Sequence, residues 1–454
     1  MAQNIVLINV NTCTSPYPVY PLGLGHLAAA LNAAGYRAHI LDLALDNAEL
    51  EGHISRRRPA AIGLSLRNID DIQIDNTRFY APILKEISRR IRAVSSSPIV
   101  LGGSGYSLFP QSLLDFCGAD FGIAGEAEMA FVSLLDCLRS KGDYHSIPGL
   151  AFRHNGRIVV NRKSPCPPGL IRTPVFPRRF AHHYIEKSSM LNIQTQRGCA
   201  YRCSYCTYPV IEGRKFRRRS PGQVCGDIAA AQRAGARYVF FVDSVFNTSA
   251  EHVSNICEEM LRRNMRMKWG CFLRPKGATM PLMELMARAG LTHIEFGTDS
   301  LCDTMLESYR KDFTVDDVVH ASDCARACGI YFAHFLIFGG PGETEHTIRI
   351  SFKNSKRISR TVFFPFIGVR IYPGTPLYAR ARREGNIETF ADYLTPHFYI
   401  SPHVSQKKIA RMLAHFHALR HNWALGDVSQ QNSDAIRGLR KLGIAGPLWE
   451  YIIR

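Results

Sequence analysis

Three cysteines on one short segment constrain this chain more than any other feature of its sequence. Cys199, Cys203 and Cys206 follow an Arg-Gly pair and have the spacing C-x3-C-x2-C. Thiolates spaced in this way can bind three irons of a four-iron, four-sulfur cluster and leave the fourth iron open for another ligand. A structural zinc site is the alternative, but zinc usually takes four closed ligands in paired C-x2-C knuckles, and no second pair stands nearby. We therefore predict a [4Fe-4S] cluster at these cysteines.

Length and composition indicate a globular protein of at least two domains. The chain has 454 residues, of which 46% are apolar, and this exceeds the common size of a single domain. No apolar run is long enough to span a bilayer, and the first residues lack a basic leader, so we expect a cytoplasmic protein with no membrane partner. Thirteen cysteines are too dilute for a disulfide scaffold, and those outside the trio are expected to be reduced.

The net charge of +18 is concentrated in three arginine-rich segments, at 56–58, 214–219 and 380–383. Such segments can form a solvated basic surface, or they can bind anionic partners, for example carrier-bound or phosphorylated substrates. The two interpretations fit equally well. Charge alone does not choose between these interpretations.

The first third of the chain alternates strand patterns with helix patterns. Apolar, β-branched runs alternate with segments of helical periodicity, which predicts a parallel, doubly wound sheet. The strand patterns lie at 5–10, 38–43, 60–66 and 98–102, and the helix patterns at 26–34, 83–94 and 129–138.

Polar and glycine residues follow these predicted strands, where ligands bind in doubly wound sheets. Glycine there lets backbone approach a ligand closely, although glycine is also ordinary turn chemistry. The candidate ligand-binding residues are Thr14, Pro21, Gly23, Arg67, Asn68, Gly102, Gly103, Ser104, Gly125 and Glu126.

Further along, the sequence predicts a linker and then a second series of strand and helix repeats. Residues 141–190 are rich in Pro, Arg and His, which is typical of a linker, with a hairpin possible around Asn155-Gly156. From residue 191 to about 375, buried strands end in polar residues, and active sites of barrels gather at such ends. The residues at these ends include Asp243, Ser244, Arg274, Asp299 and Ser300, each of which could instead cap a helix or a turn.

Several motifs in the right order resemble those of radical S-adenosylmethionine (SAM) enzymes. They are the cysteine run with Tyr205 before its last cysteine, Gly339-Gly-Pro-Gly-Glu343 after a strand, and Tyr372-Pro-Gly-Thr375 after the next strand. The segment of residues 3–140 resembles the cobalamin-binding domain that precedes the radical SAM domain in one large subclass. The motifs that carry this resemblance are Pro21-Leu-Gly23, Gly102-Gly103 and Gly125-Glu-Ala-Glu128. It implies that the candidate ligand-binding residues given above contact cobalamin.

This resemblance implies an α/β fold in four parts. An N-terminal Rossmann-like cobalamin-binding doubly wound sheet occupies residues 1–140, and the linker occupies 141–190. A partial (β/α) radical SAM barrel follows at 191–384. A small helical C-terminal region on the substrate side occupies 385–454.

The resemblance also gives the strand-end residues roles toward SAM. Asp243 and Ser244 would lie near the methionyl amine and Arg274 near the carboxylate. Asp299 and Ser300 would lie near the ribose, although many relatives carry glutamate at the position of Asp299. Tyr205 and the backbone at Gly340 would lie near the adenine.

For cobalamin, the resemblance concerns the lower face of the corrin. The Asp-x-His-x-x-Gly motif that supplies a lower histidine ligand is missing, so no such ligand is expected from it. Arg67 follows a buried strand and would be a poor cobalt donor, so it would keep that face free of a strong ligand. In the alternative, Arg67 is a surface arginine paired with Asp70 or Asp71.

The activity implied is methyl transfer from SAM, via methylcobalamin, to an unreactive carbon, or with less support to phosphorus. The substrate would be a small-molecule or carrier-bound natural-product precursor, as in antibiotic biosynthesis. Tyr372 is the candidate base where an aromatic carbon is methylated, although Tyr-Pro-Gly is also a common turn. A flavodoxin or ferredoxin type electron donor is implied, and nucleic acid is not expected as a partner.

Three other functions compete with methyl transfer. The first is a cobalamin-dependent cyclisation, ring contraction or oxidation without methyl transfer. The second is tRNA thiomethylation, which is disfavoured because the additional N-terminal cluster cysteines are not seen. The third is a non-catalytic cobalamin-binding module, which predicts no iron.

Overall fold

Two β-sheets follow one another along the chain, and most strands in each of them are parallel. The computed structural model describes residues 2–13, 17–387, 394–425 and 438–451. No helix in these ranges is both long enough and apolar enough to cross a membrane.

The first sheet has seven strands in the order β2-β1-β3-β4-β5-β6-β7. Its first five strands are parallel, which confirms the predicted doubly wound sheet. The strands are β1 (Asn4–Asn9), β2 (Arg37–Asp42), β3 (Ala61–Ser65), β4 (Ile99–Gly102), β5 (Phe121–Ile123), β6 (Leu150–His154) and β7 (Arg157–Val160). The helices are α1 (Leu22–Ala33), α2 (Leu43–Asp46), α3 (Leu50–Arg57), α4 (Ala81–Arg92), α5 (Pro110–Cys117) and α6 (Glu128–Ser140).

The range predicted as a linker contributes packed structure. Strands β6 and β7 form the hairpin expected around Asn155-Gly156 and extend the sheet antiparallel to β5. Helix α7 (Arg178–Ser188) follows, and its Tyr184 hydroxyl donates to Asp42 Oδ2 at 2.6 Å. Buried apolar residues such as Phe152 and Phe180 explain why this Pro-rich range packs.

The second sheet has six parallel strands in the order β8-β11-β12-β13-β14-β15, with helices between them, as expected for a partial barrel. Its strands are β8 (Leu191–Ile193), β11 (Tyr238–Phe241), β12 (Lys268–Leu273), β13 (Leu291–Asp299), β14 (Tyr331–Phe338) and β15 (Thr361–Ile367). A small hairpin, β9 (Gln196–Arg197) with β10 (Arg217–Arg218), flanks the cysteine loop. The helices are α8 (Tyr208–Ile211), α9 (Pro221–Arg233), α10 (Ala250–Arg262), α11 (Met280–Arg288), α12 (Asp303–Ser308), α13 (Val315–Ala327) and α14 (Glu345–Ser355).

The C-terminal region combines helices with a short strand pair. Strand β16 (Val369–Arg370) pairs antiparallel with β17 (Phe398–Tyr399). The helices are α15 (Pro376–Arg383) and α16 (Gln406–Leu419), the second of which matches the predicted amphipathic segment. Trp423 is fully buried and stacks on Phe363 of β15, with ring centroids 4.9 Å apart, so this region is anchored on the barrel.

Residues 438–451 pack at the end of the barrel where the strands begin. Trp449 Nε1 donates to Glu295 Oε1 at 3.3 Å, and His293 Nε2 lies 3.1 Å from Glu450 Oε2. A Cβ on Gly446 would lie 3.2 Å from the Tyr238 ring, so any side chain there would have to displace that ring. This segment closes the barrel on the side away from its strand-end loops.

Glu295 gives a prediction about pH. Burial raises the pKa of this carboxyl from 4.5 to about 7. In the unfolded chain this carboxyl ionises near its ordinary pKa of about 4.5, whereas in the folded protein it stays protonated up to about pH 7. Raising the pH from about 4.5 to about 7 therefore stabilises the unfolded state relative to the folded one. We expect the free energy of unfolding to fall less over this window in Glu295→Gln than in the wild type. One pKa unit corresponds to about 1.4 kcal/mol, so the difference should be on the order of 3 kcal/mol.

Urea unfolding at pH 4.5, 6 and 7.5 measures this difference, with Glu307→Gln as the control because Glu307 is exposed. Parallel pH profiles for wild type and Glu295→Gln would show that Glu295 ionises normally in the folded protein.

Candidate active site

A cavity of about 830 Å³ lies between the two sheets. One wall is formed by the loops after β3, β4 and β5, including Arg67, Gly103 and Gly125. The other wall belongs to the barrel and includes Tyr205 and Asp299. The carboxyl ends of both sets of parallel strands therefore face the same space, which is where ligands bind in both architectures.

The structure gathers almost all of the residues predicted to contact cobalamin. Thr14 lies outside the described residues. All the others line the cavity, namely Pro21, Gly23, Arg67, Asn68, Gly102, Gly103, Ser104, Gly125 and Glu126.

The loop after β4 requires glycine for a geometric reason. Gly103 has φ +99°, and a Cβ there would lie 2.4 Å from the carbonyl oxygen of Leu66. Ser104 Oγ donates to the carbonyl of Arg67 at 2.8 Å, which ties this loop to the loop after β3. The result is a cradle in which backbone at 102–105 comes close to the cavity, which suits the broad corrin ring of cobalamin.

Arg67 does not pair with either of the acids considered for it. Asp70 binds Arg370 instead, with Nε 2.8 Å from Oδ2, and Asp71 Oδ1 accepts from the backbone amides of Gln73 and Arg78. Among the described residues Arg67 has no ion pair, and burial lowers the pKa of its guanidinium. The structure therefore favours the interpretation in which Arg67 faces the cavity.

Glu126 is turned toward arginines that flank the cysteine loop. Its carboxylate accepts from Arg197 Nη1 at 3.1 Å and from Arg217. Arg197 Nη2 also donates to Glu128 Oε1 at 2.6 Å, and all of these side chains are largely buried. Burial raises the pKa of Glu128, but Arg197 outweighs this and the pKa is lowered. These ion pairs connect the first sheet directly to the residue before Gly198.

The cysteine loop is held by the β9–β10 hairpin. Cys199 N donates to the carbonyl of Gly213 at 3.0 Å, and Gly198 N donates to Glu212 Oε2 at 2.8 Å. Gly198 has φ +85°, and a Cβ there would lie 2.1 Å from the carbonyl oxygen of Lys215, so this position requires glycine. The backbone that presents the three cysteines is therefore fixed from both sides.

The cysteines themselves fit the predicted cluster by number and spacing. In the described structure, Cys199, Cys203 and Cys206 form no disulfide bond. Within the described ranges, no three or more His, Cys, Asp or Glu side chains form a group that could hold a metal ion. The fit of this loop to a [4Fe-4S] cluster therefore depends on the spacing of its three thiols, with Cys206 lining the cavity.

Two of the residues predicted to contact SAM meet at the cavity. The Tyr205 hydroxyl donates to Asp299 Oδ2, and both residues line the space. Lys311, which sequence reasoning missed, contacts the same carboxylate oxygen.

The other predicted SAM residues are engaged elsewhere and do not line the cavity. Asp243 is fully buried and accepts from the backbone N of Thr195 at 2.7 Å, and burial raises its pKa to about 7. Ser244 Oγ donates to the carbonyl of Gly198 at 3.3 Å. The Ser300 hydroxyl accepts from Cys302 N at 3.2 Å, as in a turn.

Arg274 and Gly340 also have protein partners. Arg274 pairs with Asp312 and lies 4.1 Å over the ring of Tyr201. A Cβ on Gly340 would lie 2.1 Å from the hydroxyl of Tyr309, so the Gly-Pro-Gly loop packs closely on that ring. The predicted contacts of these two residues with SAM remain predictions.

Tyr372 lies in a polar cluster that joins the two walls. Its hydroxyl is 3.5 Å from Asp70 Oδ1, and the Arg370 guanidinium lies 4.6 Å over its ring. Asp70 and Arg370 were not predicted as site residues, because no local pattern marks a pair so far apart in the sequence. Burial raises the pKa of Tyr372, and Asp70 raises it further, so the phenol stays protonated near neutral pH.

Comparison with known proteins agrees with this arrangement. The sequence profile of the B12 binding domain matches residues 8–135, and that of the Radical SAM superfamily matches residues 193–353. The tryptophan 2-C-methyltransferase of Streptomyces laurentii is 27% identical over 439 residues, which cover 81% of this chain and 73% of that enzyme.

A solved structure shares the fold of this chain, and a further relative matches it in sequence. The structure of the radical SAM methyltransferase TsrM from Kitasatospora setae, with cobalamin and a [4Fe-4S] cluster bound, has a TM-score of 0.89 at 22% identity and covers 100% of this chain and 97% of its own. The anaerobic magnesium-protoporphyrin IX monomethyl ester cyclase of Rubrivivax gelatinosus is 24% identical over 352 residues, which cover 74% of this chain and 62% of that enzyme. With a B12-binding domain, a radical SAM domain and the cysteine trio in this order, the chain belongs to the cobalamin-dependent radical SAM enzymes, in the subclass that contains methyltransferases.

Proposed function

We propose that this enzyme transfers a methyl group from SAM, by way of cobalamin, to an unreactive carbon of a small-molecule or carrier-bound natural-product precursor. Phosphorus is the less favoured acceptor. The observation that supports the proposal is that the glycine cradle of the first sheet and the cysteine loop of the barrel line the same cavity. The similarity to tryptophan 2-C-methyltransferase supports carbon as the acceptor.

In this proposal the cofactors supply the methyl group and the electrons, and the protein positions them. The chain's own residues define where each component sits. The cradle around Gly103 would accommodate the flat corrin, and Arg67 lines the same cavity. The ion pairs of Arg197 with Glu126 and Glu128 connect the two walls and hold them in a fixed relative position.

The substrate side of the cavity is largely aromatic and aliphatic. The rings of Phe335 and Phe366 stack at 6.2 Å with 20° between their planes, and Ile337 lies beside them. Asn192 and Gln194 add amide groups to the same space. Apolar walls with a few polar groups are typical of sites for small organic ligands, and this one suits an aromatic or heterocyclic substrate.

Tyr372 is proposed to orient the substrate and to take part in proton movement. Because its raised pKa keeps the phenol protonated, it cannot act alone as a phenolate base. It can accept a substrate proton only if its own proton passes to Asp70, the carboxylate 3.5 Å away. The ion pair of Asp70 with Arg370 opposes that transfer.

An anaerobic assay tests the proposal. The reconstituted enzyme is incubated with reduced cobalamin and methyl-labelled SAM, first alone and then with tryptophan and other aromatic or heterocyclic acids as probes. We expect S-adenosylhomocysteine in amounts matching bound cobalamin without substrate, and labelled product with an accepted probe. Absence of S-adenosylhomocysteine from enzyme loaded with cobalamin and cluster would overturn the proposal.

The second candidate is a cyclisation, ring contraction or oxidation with the same cofactors. The observation that supports this second candidate is the similarity to magnesium-protoporphyrin IX monomethyl ester cyclase. This reaction would leave 5′-deoxyadenosine and methionine as the only SAM products, with no label in the organic product. The same assay therefore separates the two functions.

Arg67 gives a prediction that is read by spectroscopy. If its guanidinium keeps the lower face of bound cobalamin free of a strong donor, Arg67→Ala should admit water to that face. We expect a changed visible absorption spectrum of the bound cobalamin and slower turnover, while Arg78→Ala, at an exposed loop position, should change neither. Unchanged spectrum and turnover in Arg67→Ala would remove this role.

A further inference from the structure

Lys311 is a buried lysine that none of the proposed steps uses. Its side chain is only 10% exposed, and Nζ contacts Asp299 Oδ2, the oxygen that also accepts from the Tyr205 hydroxyl. Nζ lies 5.7 Å from the centroid of the Tyr205 ring. Since Tyr205 precedes Cys206 directly, the ammonium group lies beside the cysteine loop.

Backbone hydrogen bonds fix Lys311 in this place. Ser204 N donates to the carbonyl of Tyr309 at 3.0 Å, which fastens the cysteine loop to the segment that carries Lys311. Lys311 N donates to the carbonyl of Leu306 at 2.8 Å, and Asp299 is held at φ +64° at the end of β13. The lysine therefore cannot move away from the loop without breaking several contacts.

The neighbouring cations do not share this position. Arg274 pairs with Asp312, which is exposed, and Lys276 Nζ donates to the carbonyl of Asp312 at 2.9 Å. Nζ of Lys311 instead contacts the buried carboxylate of Asp299, which favours the charged form of the lysine. Lys311 is thus a buried positive charge held beside Tyr205, the residue that precedes Cys206.

We propose that Lys311 is a positioning residue that sets the reduction potential of the cluster bound by Cys199, Cys203 and Cys206. This inference rests on the proposed function for the presence of the cluster. One-electron reduction by an external donor adds one negative charge to a group that already carries three thiolates, and a nearby cation stabilises that added charge. Asp299, which pairs with the same lysine, is negatively charged and therefore lowers the reduction potential of the cluster.

The opposite effects of the two side chains define the experiment. Full-length enzyme with reconstituted cluster is titrated with dithionite, and the reduced cluster is measured by electron paramagnetic resonance per mole of iron. At the potential where half of the wild-type cluster is reduced, Lys311→Met should lower the ratio of reduced to oxidised cluster severalfold. Asp299→Asn should raise that ratio, and Lys311→Arg should keep it close to the wild-type value.

The double variant Lys311→Met with Asp299→Asn guards against misfolding, because it removes both charges and leaves no unpaired ion. Its ratio should return toward that of the wild type. Equal ratios in wild type, Lys311→Met and Asp299→Asn would overturn the inference while leaving the proposed function intact. Wild-type enzyme that binds no iron would instead refute the proposed cluster.

Discussion

Replacing Cys203 with alanine is expected to abolish both the cluster and the proposed methyl transfer. Each of the three thiols is expected to bind one iron, so the loss of one leaves two ligands for a cluster that normally takes at least three from this loop. After anaerobic reconstitution, the wild type should contain about four irons per chain, and Cys203→Ala should contain only a small fraction of that. Product formation should fall below detection.

A matched control distinguishes this loss from the effect of replacing a cysteine that does not bind the cluster. Cys328 is also partly exposed but lies far along the chain, just after α13. Cys328→Ala should therefore bind iron as the wild type does. Full iron and sulfide in Cys203→Ala would rule out the cluster assignment, and no iron in either protein would favour a non-catalytic cobalamin-binding module.

Removing the guanidinium of Arg197 is expected to have the largest effect on stability. Arg197→Met leaves Glu128 buried without its partner and takes one of two arginines from Glu126. Breaking a buried ion pair by removing one partner typically costs about 3–5 kcal/mol. We expect a loss of that size in the free energy of unfolding at pH 7, measured with urea on the cofactor-free chain.

The sign of the pH dependence gives a second check on Arg197. The pKa of Glu128 is lowered in the folded protein, so the stabilisation is present at neutral pH and is lost as pH falls below about 4.5. The deficit of Arg197→Met should therefore shrink in acid. The double variant Arg197→Met with Glu128→Gln should recover part of the loss.

Arg89→Met serves as the control for losing an arginine ion pair at the surface. Arg89 pairs with Glu86, and both side chains are mostly exposed. The free energy of unfolding should stay close to that of the wild type, because exposed pairs contribute little. Equal losses for Arg89→Met and Arg197→Met would mean that the buried network has no special role.

Local patterns in the sequence were sufficient to predict much of the fold. The run Tyr238-Val-Phe-Phe241 reads as a buried strand because all four side chains are apolar, and it forms β11 with all four residues buried. The turn at Asn155-Gly156 was predictable because both residues tolerate positive φ, and they adopt +48° and +74°. The cysteine trio and the glycine loops are equally local.

The contacts that assemble the site are not local, and a single sequence does not reveal them. Arg197 and Glu126 are 71 residues apart, and Arg370 and Asp70 are 300 apart. Nothing in the residues around Lys311 distinguishes it from the many other basic residues of this chain. The contact of Asp243 with SAM remains a prediction from its strand-end position, and its hydrogen bond with the backbone of Thr195 was not predictable from the sequence.

The ion pairs between the two halves of the molecule have a consequence for how such enzymes can diversify. Phe335, Ile337 and Phe366 contribute apolar surface to the cavity, whereas the connection between its walls depends on charged residues such as Arg197 and Arg370. Exchange of the apolar side chains can therefore reshape the substrate space without loosening the scaffold that aligns the cofactor sites. New acceptor specificities are thus accessible, in evolution or in the laboratory, through a few aromatic and aliphatic positions on β14 and β15.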